Sequence, residues 1–209
     1  MPFPPFIFAR PAATADMPQM LLRIYAIPAW QMRDVPKASA FLAFTDETGW
    51  LGHGSAKYIK DKADFGLDDA LRSMAPIAPL EAISLPVRRL PASRLVVANV
   101  YDANKLTSNA AFAEAFKNAC LEVGRHGGKS VTFFDPTRDW NYQEWRVEPT
   151  DAARAIIANV LANRGRIKGA NIIVPEDSKD AYVSLTERVF DQRWRLTSDD
   201  PAVRDAIGF

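Results

Sequence analysis

The stretch AFAEAFKNACLEVGRHGGKSVTFFD, residues 111–135, joins two kinds of periodicity. Phe112, Ala115, Phe116, Ala119, Cys120 and Val123 recur at helical spacing, which predicts one buried helix face. Ser108 precedes this pattern as a suitable N-cap, and Gly124 is expected to end it. Gly127 and Gly128 then lead into SVTFF, 130–134, a short apolar run of the kind found in buried strands. The same alternation continues on both sides. RLVVANVY (94–101) reads as a strand before the helix. After SVTFF come a helix carrying Ala153, Ile156, Ile157, Val160 and Leu161, the strand NIIVP (171–175), and a last helix with Tyr182, Leu185 and Val189. Thr150 or Asp151 is expected to cap the first of these helices and Ser178 the second. Strand–helix–strand crossovers produce parallel pairing with helices on the sheet faces.

Upstream, LLRIYAI (21–27), SAFLAFT (39–45) and AISLP (82–86) read as further strands, with helices near 55–63 and 67–74. The expected fold is α/β, a three-layer α/β/α arrangement around a mixed, mostly parallel sheet. Residues 1–19 are expected to be an extended N-terminal arm, 20–191 the domain, and 192–209 a polar C-terminal tail with a short helix after Pro201. Phe3, Phe6, Ile7 and Phe8 would let the arm pack on the body or on a neighbouring chain as a homodimer contact.

The 209 residues suit one domain. A net charge of +1 gives no global field for nucleic acid or anionic membranes, so anion binding must be local. One cysteine, Cys120, excludes an internal disulfide, and its helical setting reads as a buried structural thiol. With His53 and His126 the only histidines, no metal site is expected, nor any cofactor. No apolar run is long enough to span a bilayer. MPFPPFIFAR lacks a basic n-region and is broken by prolines, so no signal peptide is read and a cytoplasmic location is expected.

In open α/β sheets ligands collect beyond the carboxyl ends of the strands. Here those ends are Thr45–Gly54, Asp135–Glu148 and Pro175–Ser178, with Asp102–Asn104 as a fourth. In the first, Gly52 and Gly54 allow close backbone approach, His53 lies between them, and a helix starting near Ser55 adds its positive end; together these form a phosphate cradle. Neither GxxxxGK[ST] nor GxGxxG is present, and a glycine turn that binds nothing fits the same residues. The second, FFDPTRDWNYQEWRVEP (133–149), has no glycine and works through side chains. Arg138 and Arg146 suit phosphate or carboxylate, and Trp140, Tyr142 and Trp145 suit stacking on a base or sugar. Asp135, Asp139 and Glu144 can act as acid or base, or pair with the arginines; Asn141 completes the segment. A self-packed lid is the competing account of this loop.

The order of these segments resembles the macro domain, the ADP-ribose-binding fold, over about residues 21–190. FLAFTDETGWLGHGSAKYIKDKAD is similar to the family's apolar strand, glycine run and helix. ISLPVRRLPASRLVVANVYD resembles its strand pair, and DWNYQEWRVEPTDAARAIIANVL its second phosphate loop and helix. The chain departs from the family pattern at Ala26-Ile27-Pro28, where the family often has an adenine-binding Asp. Thr45, Asp46 and Glu47 stand at its asparagine pair, and the second loop has no glycine. The resemblance implies binding of a nucleotide-like small molecule of the ADP-ribose type. Contacts would come from Gly52, His53, Gly54 and Ser55, and from Asp135, Arg138, Asp139, Trp140, Asn141 and Tyr142. Removal of ADP-ribose from a target is also implied as an activity, without a catalytic residue. The alternative is a non-catalytic interaction module using the aromatic 135–148 loop and the N-terminal arm. A hydrolase working through two loop carboxylates, such as Asp135 and Glu144, ranks third.

Overall fold

The computed structural model describes residues 11–17, 20–52, 54–138 and 148–189. Seven strands form one sheet: β1 (Ala13–Met17), β2 (Met20–Ala26), β3 (Ala38–Thr45), β4 (Ala82–Pro86), β5 (Ala92–Asn99), β6 (Ser130–Phe134) and β7 (Gly169–Val174). Their spatial order is β1-β2-β7-β6-β3-β5-β4. The five inner strands run parallel, and only the two outer pairs, β1–β2 and β4–β5, are antiparallel. Among the described residues five helices accompany the sheet: α1 (Gly54–Lys62), α2 (Leu67–Met74), α3 (Asn109–Arg125), α4 (Pro149–Ala162) and α5 (Lys179–Val189). The mixed, mostly parallel sheet and its helical layers are those expected from the alternation.

β3 lies inside the sheet, paired with β6 on one side and β5 on the other. Its side chains alternate between two cores because successive residues of a strand face opposite ways. Ala40, Leu42 and Phe44 join the core under α3, α4 and α5, with Leu22, Val96, Phe133 and Ile172. Phe41 and Ala43 join the other, under α1, α2 and the 3-10 turn Ala29–Asp34, with Tyr25, Leu95, Phe134 and Ile173. The first core is aromatic at its middle. Phe44 meets Phe112 at 5.0 Å between ring centroids, and Phe116 meets Phe133 at 5.3 Å, both edge to face. Cys120, fully buried on α3, has its thiol pushed from 9.0 up to about 12 by desolvation, against a smaller opposing pull from Arg166.

Ser108 caps α3 as expected, its Oγ accepting the Ala111 N–H at 3.1 Å. Other boundaries moved. α3 continues past Gly124 to Arg125, and Gly127, at φ +70°, takes the left-handed turn after it. Neither Thr150 nor Asp151 caps α4. Glu148 holds the extended N-cap position and Pro149 is the first helical residue, where its missing N–H costs nothing. A 3-10 turn over Glu176–Ser178 precedes α5, so Ser178 sits in that turn. β5 starts two residues earlier than RLVVANVY and stops at Asn99. Within the stretch expected to be an extended arm, Ala13–Met17 pairs with β2 as the outermost strand of the sheet. The rest of the arm's aromatic cluster and the helix after Pro201 lie outside the described residues. Among the described residues no helix is long and apolar enough to cross a membrane.

Candidate functional site

Because β2, β7, β6 and β3 are parallel neighbours, their carboxyl ends open on one edge of the sheet. A cleft of about 420 Å³ lies there. It is bordered by Ile27–Ala29 after β2, Gly54 and Ser55 at the start of α1, Phe134 and Asp135 at the end of β6, and Ile173–Glu176 at the end of β7. Three of the four strand ends expected to hold a ligand therefore meet at one place. The fourth, Asp102–Asn104, does not line the cleft. It closes on itself, Asp102 Oδ1 accepting the N–H groups of Asn104 at 2.8 Å and Leu106 at 3.0 Å.

The loop after β3 is held from within. Asp46 Oδ1 accepts the Thr48 N–H at 2.8 Å and the Thr48 hydroxyl at 2.6 Å, an Asx turn. Gly49 follows at φ +68°, and Thr45 Oγ1 donates to the Trp50 carbonyl at 2.9 Å. The segment where the macro pattern has asparagines is thus spent on shaping the turn. Gly52 also leaves room for a neighbouring side chain. A Cβ there would sit 2.1 Å from the Trp50 ring, which lies across it. Gly54, at φ +50°, starts α1 in a conformation that side-chain-bearing residues rarely take. Gly54 and Ser55 bring the positive end of α1 into the cleft. His53 lies outside the described residues.

The described start of the loop after β6, residues 135–138, is held from the core. Asp135 is 4% exposed, and both of its carboxylate oxygens are engaged. Oδ1 accepts the Thr137 N–H at 2.9 Å and the Thr137 hydroxyl at 2.7 Å. Oδ2 accepts the Tyr182 hydroxyl, on α5, at 2.8 Å. The Asp135 N–H donates to Ile173 on β7 at 2.9 Å, so the chain leaves the sheet in one direction, into a 3-10 turn over Pro136–Arg138. Burial first, then the neighbouring Asp135 charge and the hydrogen bond to it, push the Tyr182 phenol well above 10.0 and keep it a donor. Thr137 and Tyr182 are thus among the partners of Asp135, which the sequence had offered as a partner for the loop arginines. The Arg138 side chain, and Asp139, Trp140, Asn141 and Tyr142, lie outside the described residues, as do Glu144, Trp145 and Arg146.

Sequence reasoning placed Tyr182 only on a buried helix face and did not join it to Asp135. It also did not include Ile27–Ala29 among the ligand-bearing loops, although that segment forms one wall of the cleft. The available signal was the apolar Ala-Ile-Pro ending of a parallel strand. Glu176, on the opposite wall, lies 3.4 Å from Lys179. Among the described residues no cluster of three His, Cys, Asp or Glu is arranged to hold a metal ion.

No protein-family model matches the chain, and no curated protein matches its sequence. Solved structures do match. A variant of the Oceanobacillus iheyensis macrodomain superposes with a TM-score of 0.69 at 13% identity, covering 84% of this chain and 91% of that one. The same macrodomain with ADP gives 0.65 at 13%, covering 81% and 92%. The Trypanosoma brucei macrodomain in complex with ADP gives 0.62 at 13%, covering 78% and 67%. At such identities the likeness is one of backbone path, and it agrees with the strand order and the open carboxyl edge described above. The chain has the macrodomain fold, in a form whose sequence has diverged far from the solved examples.

Proposed function

We propose that the cleft binds ADP-ribose or a related nucleotide phosphate. The observation that carries this is the meeting, in one cleft, of an apolar wall and a helix N-terminus. Ile27, Pro28, Ala29, Val174 and Pro175 offer a surface for a flat base, and Gly54 and Ser55 offer backbone N–H groups and the dipole of α1 to a phosphate. Support also comes from similar folds solved with ADP. Gly52, His53 and the segment Asp135–Tyr142 complete the proposed contact set, with Asp135 acting through the backbone it fixes. Binding is favoured over hydrolysis because both oxygens of Asp135 already accept hydrogen bonds from Thr137 and Tyr182, which opposes its use as a base.

Isothermal calorimetry with ADP-ribose, ADP and AMP tests the proposal. ADP-ribose should bind, and ligand at a hundred times its Kd should stabilise the fold by about 2.7 kcal/mol, seen as a rise in Tm. Folded protein giving neither heat nor a thermal shift with all three would refute it.

A further inference from the structure

The sheet has a second feature at its other end. There the amino ends of β3 and β5 are tied by the Ala38 N–H, which donates to the Pro91 carbonyl at 3.0 Å. Next to this tie an open depression of about 390 Å³ is lined by Arg33, Arg89, Leu90 and Pro91. Each guanidinium is held by a neighbour without charge. Arg33 Nη2 donates to the Lys62 carbonyl at 3.2 Å. The Arg89 guanidinium lies over the Phe65 ring, 5.3 Å from its centroid, although Phe65 is 96% exposed.

Three surface arginines elsewhere in the chain face carboxylates: Arg72 with Asp69, Arg125 with Glu122, Arg154 with Asp151. Arg33 and Arg89 make no ion pair among the described residues, and no carboxylate lines the depression. The nearby Asp64 is occupied, accepting the Arg88 N–H at 2.7 Å. Asp34 follows Arg33 in the chain but is not part of the lining. Two anchored guanidiniums thus share a concave surface that, among the described residues, is lined by no negative group.

We infer that this depression is a second anion site, taking a phosphate group between Arg33 and Arg89. Arginine suits this because its planar fork meets phosphate oxygens with two parallel hydrogen bonds. The carbonyl of Lys62 and the Phe65 ring hold the two forks in place, so less side-chain freedom is lost on binding. The site stands at the opposite end of the sheet from the cleft and does not rest on the nucleotide proposal.

Residue-resolved NMR titration with inorganic phosphate, and then with pyrophosphate, at low ionic strength tests it. Saturable shifts are expected at the amides of Arg33, Arg89 and Leu90, with pyrophosphate the tighter probe. The double substitution Arg33→Gln/Arg89→Gln should weaken this binding about tenfold or more. A charge-matched control, Lys37→Gln/Arg72→Gln, should leave it in place. Shifts that never saturate, that persist in the double variant, or that fall equally in the control would overturn the inference. Because each shift is assigned to a residue, phosphate entering the cleft at Gly54 is read separately, so the two sites succeed or fail independently.

Discussion

The two loops that frame the cleft are built on opposite principles. The loop after β3 is shaped by its own neighbours: Asp46 turns it, Gly49 and Gly54 supply left-handed backbone, and Trp50 lies across Gly52. The described start of the loop after β6 is fixed from a distance. Its first residue, Asp135, is a buried carboxylate fixed by a tyrosine 47 residues further on. A self-built loop can be altered locally at modest cost. A loop anchored in the core passes any change at its anchor to the helix that holds it, because a buried polar group left without its partner keeps its full desolvation penalty.

The sharpest way to break this contrast is Asp135→Ala. It leaves the Tyr182 and Thr137 hydroxyls buried without their acceptor and should cost about 3 kcal/mol in urea unfolding. Tyr182→Phe removes one hydrogen bond to a buried charge and should cost about 2 kcal/mol. In the double variant the two losses should add to less than their sum, since they share one bond. If they add fully, α5 does not anchor the loop.

On the other side of the comparison, Gly54→Val places a branched side chain at φ +50° and should cost about 1–2 kcal/mol. Its larger effect should be on ligand: ADP-ribose binding measured by calorimetry should fall while the circular dichroism spectrum is kept. Gly52→Ala should cost less, and the cost should vanish in a Trp50→Ala background, because the half-exposed Trp50 ring is what the new Cβ meets. A penalty that survives the loss of Trp50 would mean that the loop backbone itself demands glycine.

Alkaline titration probes the interior behind both loops. The Cys120 thiol is held up to about 12 from 9.0, and the phenols of Tyr25 and Tyr182 are raised above 10.0, desolvation being the first cause in each. In the unfolded chain these groups lose their protons near their ordinary values, while the folded chain keeps them. Stability is therefore whole below about pH 9 and declines as pH rises toward the folded values. Cys120→Ala should flatten the onset of this decline and Tyr182→Phe its upper part, both read from urea midpoints against pH. The smallest expected effect is on chemistry at neutral pH: iodoacetamide should leave Cys120 unlabelled in folded protein and label it in urea, as mass spectrometry would show.

Much of the architecture is legible in the sequence. Phe112, Ala115, Phe116, Ala119, Cys120 and Val123 announce a helix face because the period of a helix is local, and the nearly continuous apolar run of β3 announces a strand buried on both faces for the same reason. The crossovers after residue 94 then imply parallel pairing, and parallel strands imply ligand loops at one edge. The errors are local too. Pro149 took the first position of α4 that Thr150 or Asp151 was expected to precede, because a proline without an N–H to satisfy fits there. Residues 13–17 carry no strong alternation and were assigned to an arm; they became a strand because β2 offered an open edge.

By itself, then, the sequence determined most of the elements, the parallel sense of the later strands and the edge of the sheet that would be open, all of which follow from periodicities spanning a few residues. Only the tertiary structure decided the order β1-β2-β7-β6-β3-β5-β4, the cleft walls at Ile27–Ala29, the bond between Asp135 and Tyr182, and the pairing of Arg33 with Arg89 around one depression. Each joins residues far apart in the chain, and such contacts depend on how strands stack side by side, which no local pattern encodes.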